Sequence, residues 1–225
     1  MTTKADKKDL TEPDKLQLFL LSIRTFVETH RIQIYIGAGI FFLIILLTGG
    51  GYLYQLNYET SAVKIYNRVF EDVAKNGLPA GATAAIQGYK DLIAQHPRSY
   101  AAVMAYYRLG NLYFSRREYD AAISAYDEFL KKAPPKSDLI TLAYSGLGAS
   151  QESKKDFNKA LAYYERAMQT NTASSFEALN FSNIARIHEA MNHPSKAAEF
   201  YRKALDKTTD PFMTLYLKRK ISILG

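Results

Sequence analysis

The stretch "YYRLGNLYFSRREYDAAISAYDEFLKKAP", residues 106–134, decides the fold. A large Tyr106 is followed by Leu109-Gly110, an aromatic Tyr113, then Ala122, Tyr126 and Phe129, and a closing Pro134. Small residues let two helices approach closely where they cross, and aromatics fill the wedge beside the crossing. Proline lacks a backbone donor and clashes with the preceding turn, so Pro134, like Pro97 before it, ends a helix. The same register recurs outward in both directions. Ala85, Ala122, Ala160 and Ala197 stand 37, 38 and 37 residues apart, and each is followed four residues later by a tyrosine: Tyr89, Tyr126, Tyr164 and Tyr201. Ahead of the last three alanines lie "YYRLGNLY" (106–113), "YSGLGASQ" (144–151) and "FSNIARIH" (181–188), which put Gly110, Gly148 and Ala185 at equivalent places.

This pattern resembles the tetratricopeptide repeat, whose unit is a pair of antiparallel helices about 34 residues long. Three repeats are expected at 101–134, 138–172 and 175–209. The three or four extra residues per unit fall around "RSYAAV", "PPKSDL" and "NTASSF", lengthening the first helices at their N-terminal ends. Residues 77–100 form a partial repeat, in which "AGATAAIQGYKDLIAQHP" supplies a second helix and "KNGLPAG" a long turn; residues 59–76 supply a helix without the Leu-Gly block. A final helix over 211–225 is expected to cap the last repeat with Phe212, Leu215 and Tyr216. The expected fold class is all-α: a tetratricopeptide-repeat α-solenoid of three clear repeats and one degenerate repeat over 55–225, following a single N-terminal transmembrane helix.

That helix is read from "RIQIYIGAGIFFLIILLTGGGYLYQ", residues 31–55. Residues 32–54 carry no charge, and at 1.5 Å rise per residue about 20 apolar residues cross the hydrocarbon of a bilayer. Tyr35, Tyr52, Tyr54 and Tyr58 stand near its two ends, where aromatic rings prefer the headgroup level. A cleaved signal is disfavoured by the acid-bearing 31-residue leader and by the length of the apolar run. Arg31, close before the span, tips a near tie of flanking basic residues toward a cytoplasmic N-terminus. Residues 11–31 read as a cytoplasmic amphipathic helix, with capping-box spacing from Thr11 to Asp14 and apolar residues at Leu16, Phe19, Leu20, Ile23 and Phe26; residues 1–10 read as a disordered tail.

Composition narrows the function. The chain has no cysteine, which removes disulfides, thiolate metal sites and a lipid-bearing cysteine. Its net charge of +7 is spread out, with no basic run longer than Lys218 to Lys220, so nucleic acid is not an expected partner. His188 and His193 are five apart rather than four, and His188 falls on an aromatic core position, so neither metal nor cofactor is expected. Neither a phosphate-cradling glycine loop nor a catalytic constellation is present, and the protein is read as no enzyme.

What remains is a surface. The resemblance to tetratricopeptide proteins implies a protein-binding groove lined by Met104, Tyr107, Asn111 and Phe114, then Leu142, Ser145, Ala149 and Glu152, then Leu179, Ser182, Arg186 and Glu189. It departs from the family's Lys/Asn/Arg clamp for a chaperone's terminal carboxylate, because Tyr107, Ser145 and Ser182 occupy one clamp position. The overall layout, with "LQLFLLSIRTFVETHRIQIYIG" leading into the anchor and "LYLKRKISIL" at the close, is similar to the bacterial family of ancillary SecYEG translocon subunits. That likeness implies a single-pass protein of the bacterial inner membrane, its repeats in the periplasm, binding client polypeptides or periplasmic chaperones near the translocon. The alternative is a scaffold for cell-envelope assembly or division that self-associates as a homo-oligomer.

Overall fold

The computed structural model describes residues 15–77, 81–170 and 173–224. The expected tail at 1–10, the Thr11–Asp14 cap and residues 78–80 of the "KNGLPAG" turn lie outside the described residues. Among those described, all regular elements are helical: α1 (Lys15–Asn76), α2 (Ala82–Gln95), α3 (Tyr100–Ser115), α4 (Tyr119–Lys132), α5 (Leu139–Ser153), α6 (Phe157–Met168), a short 3-10 turn (Ala173–Phe176), α7 (Glu177–Ala190), α8 (Pro194–Lys207) and α9 (Pro211–Leu224). The chain divides into two units between Leu56 and Asn57.

In the first unit α1 carries apolar side chains on every side, all exposed from Ile36 to Leu56. The helix is interrupted at His30, whose φ of −111° and ψ of 18° are not helical. The cause is local: the His30 ring Nδ1 lies 3.1 Å from the carbonyl oxygen of Phe26, the group that a helical backbone N–H at His30 would use.

The second unit is built from helix pairs, α3 with α4, α5 with α6 and α7 with α8, each pair packed on the next. Residues 57–76 of α1 pack on α2 through Ala62, Ile65, Tyr66 and Val69 against Ala85 and Tyr89. The Leu-Gly block is explained by what it faces. A Cβ at Gly110 would come within 2.5 Å of the Tyr126 ring, and one at Gly148 within 2.7 Å of the Tyr164 ring. The periodic tyrosine thus lies across the periodic glycine, and the alanine four residues before it is buried in every pair.

Helix starts follow ordinary capping chemistry: Ser99 Oγ accepts from Ala102 N at 3.0 Å, Asp156 from Lys159 N at 3.2 Å and Asp210 from Met213 N at 2.8 Å. The turns inside the three pairs share a less ordinary device. Arg117, Lys155 and Asn192 adopt φ of 63°, 62° and 59°, a left-handed conformation that favours glycine. The residue after each returns its N–H to the carbonyl five before it (Glu118 to Tyr113, Asp156 to Gln151, His193 to His188), and this terminates the first helix.

The last helix corrects an expectation. Phe212 and Leu215 do not cover the final repeat; they are 85% and 70% exposed, and Tyr216 is also exposed. Leu217 is buried instead, flanked by Met213, Ile221 and Leu224 on the cluster around Tyr201. Both faces of α9 are apolar, and the i, i+4, i+8 row from Met213 is the one that packs.

Candidate functional site

The face expected to bind protein is built by the first helices α3, α5 and α7. In α3, Met104, Tyr107 and Phe114 are half-buried members of one aromatic cluster. Tyr107 stacks obliquely on Tyr126 and Phe129, with ring centroids 6.0 and 5.5 Å apart, so it is partly spent on packing.

The polar positions of the face are joined by hydrogen bonds across the helix pairs. Tyr126, Tyr164 and Tyr201 each deliver their hydroxyl to a first-helix side chain. Tyr164 Oη donates to Glu152 at 3.0 Å and Tyr201 Oη to Glu189 at 2.9 Å, both acceptors standing 12 residues earlier in α5 and α7. In the first clear repeat that place is held by Phe114, so Tyr126 Oη donates to Asn111 Oδ1, one turn earlier, at 2.7 Å. The carboxylates are then gripped by the following helix. Arg186 forks onto Glu152 with Nε–Oε1 at 2.6 Å and Nη2–Oε2 at 2.7 Å, and Lys220 of α9 reaches both oxygens of Glu189 at 2.8 and 2.9 Å.

Glu152 and Arg186 are therefore joined across two repeats, and Glu189 is joined to α9. Ser182 is buried, and the Ser145 hydroxyl is occupied between the Thr141 carbonyl at 3.0 Å and Asn180 Oδ1 at 2.9 Å. The electrostatics agree. The hydrogen bonds that Arg186 donates to Glu152 push its guanidinium up. Burial raises the Tyr164 phenol, and so does Glu152 beside it. Burial alone would raise the Glu189 carboxyl, but Lys220 and Tyr201 hold it below the usual range.

At the other end lies an element that the reading of the face passed over. Arg108, in "YYRLG", donates from Nε to the Tyr66 hydroxyl at 2.9 Å, and its guanidinium carbon lies 4.8 Å from the centre of the Phe70 ring. It borders a cavity of about 150 Å³ lined by Phe70, Val73, Tyr89, Arg108, Asn111 and Leu112. Burial, reinforced by Tyr66, pushes the Tyr89 phenol up to about 12, so it stays neutral. The family resemblance marked Tyr107 and Asn111; Arg108 stands between them in sequence and meets Tyr66, 42 residues away.

The two histidines also differ from expectation. α7 ends at Ala190, so the five-residue spacing does not hold the rings apart on a helix, and their centroids come to 5.9 Å. His188 is buried and stacked on Phe200 at 5.4 Å. Among the described residues no group of three His, Cys, Asp or Glu is placed to hold a metal ion.

Comparison with known proteins places this architecture. Tetratricopeptide-repeat profiles match residues 80–138 and 138–209. Two solved structures described as crystal structures of MamA superpose with TM-scores of 0.54 and 0.56 at 20% and 19% identity, covering 64% and 72% of this chain and 77% and 81% of theirs. A third, MamA 41-end from Desulfovibrio magneticus RS-1, gives a TM-score of 0.54 at 16% identity, over 65% of this chain and 75% of that one. At such identities the likeness is one of fold. No curated protein sequence matches. Residues 80–209, more than half of the chain, are tetratricopeptide repeats, and the protein belongs to that family.

Proposed function

We propose that this is a non-enzymatic interaction protein of the bacterial inner membrane, anchored by residues 32–54, whose repeats bind other polypeptides on the periplasmic side. The N-terminal helix lies in the cytoplasm in this reading, and the bound proteins are translocon components, periplasmic chaperones or client chains. The observation that carries the proposal is the pairing of an uncharged, all-round apolar segment, exposed from Ile36 to Leu56, with repeats that bury a core of their own. A helix apolar on every face needs lipid or protein around it. The interaction role is supported by family membership and by the half-buried aromatic surface of Met104, Tyr107 and Phe114. The closing test is protease treatment of intact spheroplasts: digestion of residues 57–225 from outside is expected, and protection until lysis would return the repeats to the cytoplasm.

The second reading, self-association into a scaffold, is favoured by one observation. The outward row of α9, Phe212, Leu215 and Ile223, is 68–85% exposed. Mass determination of the detergent-solubilised chain separates the readings, since Phe212→Asp should dissociate an oligomer built on α9 and leave a monomer unchanged.

A further inference from the structure

Arg108 of α3 and Arg186 of α7 both stand on first helices, and they meet opposite circumstances. Arg186 has a carboxylate seated on its fork. Arg108 spends Nε on the neutral Tyr66 hydroxyl, and among the described residues no acid pairs with it; the groups that act on its charge are the phenols of Tyr66, Tyr89 and Tyr107. A guanidinium does not deprotonate in a protein, and holding one half-buried against aromatic rings without an anion is costly. The guanidinium lies against the Phe70 ring and Arg108 lines the cavity, so a cation and an apolar recess of about 150 Å³ adjoin each other. That volume takes one medium-sized aliphatic side chain. Asn111, one of the residues of the expected binding face, also lines the cavity, which sets the recess beside that face.

We propose that this site receives an aspartate or glutamate side chain from the interior of a bound polypeptide, its carboxylate on the Arg108 fork and the aliphatic side chain next to it in the recess walled by Phe70 and Leu112. The proposal rests on the reading that the first-helix face binds polypeptides, and it names the chemistry that the N-terminal end of that face selects.

The test uses the detergent-solubilised full chain and a library of nonapeptides, acetylated and amidated so that they carry no terminal charge. Peptides retained by the protein should be enriched in an acid directly beside Leu, Ile, Val or Met. In the best of them, replacing the glutamate by glutamine should weaken binding about tenfold or more, the ordinary worth of a charge-assisted hydrogen bond. Arg108→Gln should remove that difference, Arg108→Lys should keep part of it, and Phe70→Ala should relax the aliphatic preference while leaving the acid preference in place. Binding that ignores the acid overturns this inference and leaves the interaction role standing. An acid preference that survives in a folded Arg108→Gln protein overturns it as well. If no capped peptide is retained at all, both fall together. The glutamate-to-glutamine comparison needs only the unaltered protein, so an absent acid preference overturns the inference even if Arg108 variants fold poorly.

Discussion

The two ends of the repeat array handle charge in opposite ways. Toward the C-terminus, Glu152 and Glu189 are each closed by a tyrosine from their own pair and a cation from the following helix. Toward the N-terminus the corresponding place is Phe114, the tyrosine turns back to a neutral amide, and Arg108 donates to a phenol. The same helix pair therefore yields one half where carboxylates join the repeats and another where, among the described residues, a half-buried arginine pairs with no acid. Mixed charge on a repeat surface is no measure of its availability; the partner across the junction is.

The largest break in that contrast should come from Arg186→Met. It strands Glu152, whose side chain is 19% exposed, with a single hydroxyl donor. Because Arg186 itself is 42% exposed, the loss is discounted to about 2 kcal/mol, read by urea unfolding. Arg108→Met breaks no ion pair and should cost under about 1 kcal/mol. Equal losses from the two substitutions would erase the distinction drawn between the halves.

Next in size are the small residues under the tyrosines. Gly148→Ala drives a methyl group into the Tyr164 ring, and a net destabilisation of about 1–2 kcal/mol is expected after the gain in helix propensity is subtracted. The third pair already carries Ala185 there, so Ala185→Gly should lose about 1 kcal/mol. Thermal melting separates the two directions.

A pH effect in the histidine range is expected from the C-terminal half. Burial of His188, with Lys196 and His193 nearby, lowers its basicity. The unfolded chain then takes up the proton first. Stability should be full above the ordinary histidine value of about 6.5 and should fall as the solution is acidified below it. His188→Leu should flatten that part of the profile, and an unchanged slope would assign the effect elsewhere.

The smallest effect is a gain. Arg117→Gly or Lys155→Gly relieves a left-handed residue and should stabilise the chain by about 0.5–1 kcal/mol. Similar gains at both sites would show that this turn is common to the two halves and takes no part in their difference.

The repeats were legible because close packing leaves a trace at fixed intervals: alanine, tyrosine and the glycine beneath it cannot be exchanged freely. The junction pairs left no such trace. Arg186 and Glu152 stand 34 residues apart at different places in their own repeats, and their meeting depends on how far one pair is offset from the next. The packed side of α9 was hidden because two apolar rows compete on one helix, and periodicity finds both. The left-handed turns were invisible because Arg117, Lys155 and Asn192 replace the glycine that would have announced them.

Among the described residues, the side-chain hydrogen bonds between helices of the array bridge no more than 42 residues of chain, and each helix packs chiefly on its sequence neighbours. An object wired only to its nearest neighbours has no long-range clasp to resist tension. Pulled from its two ends it should pay out in steps of one helix pair and rewind in the same order, behaving mechanically as a compliant spring rather than a rigid strut.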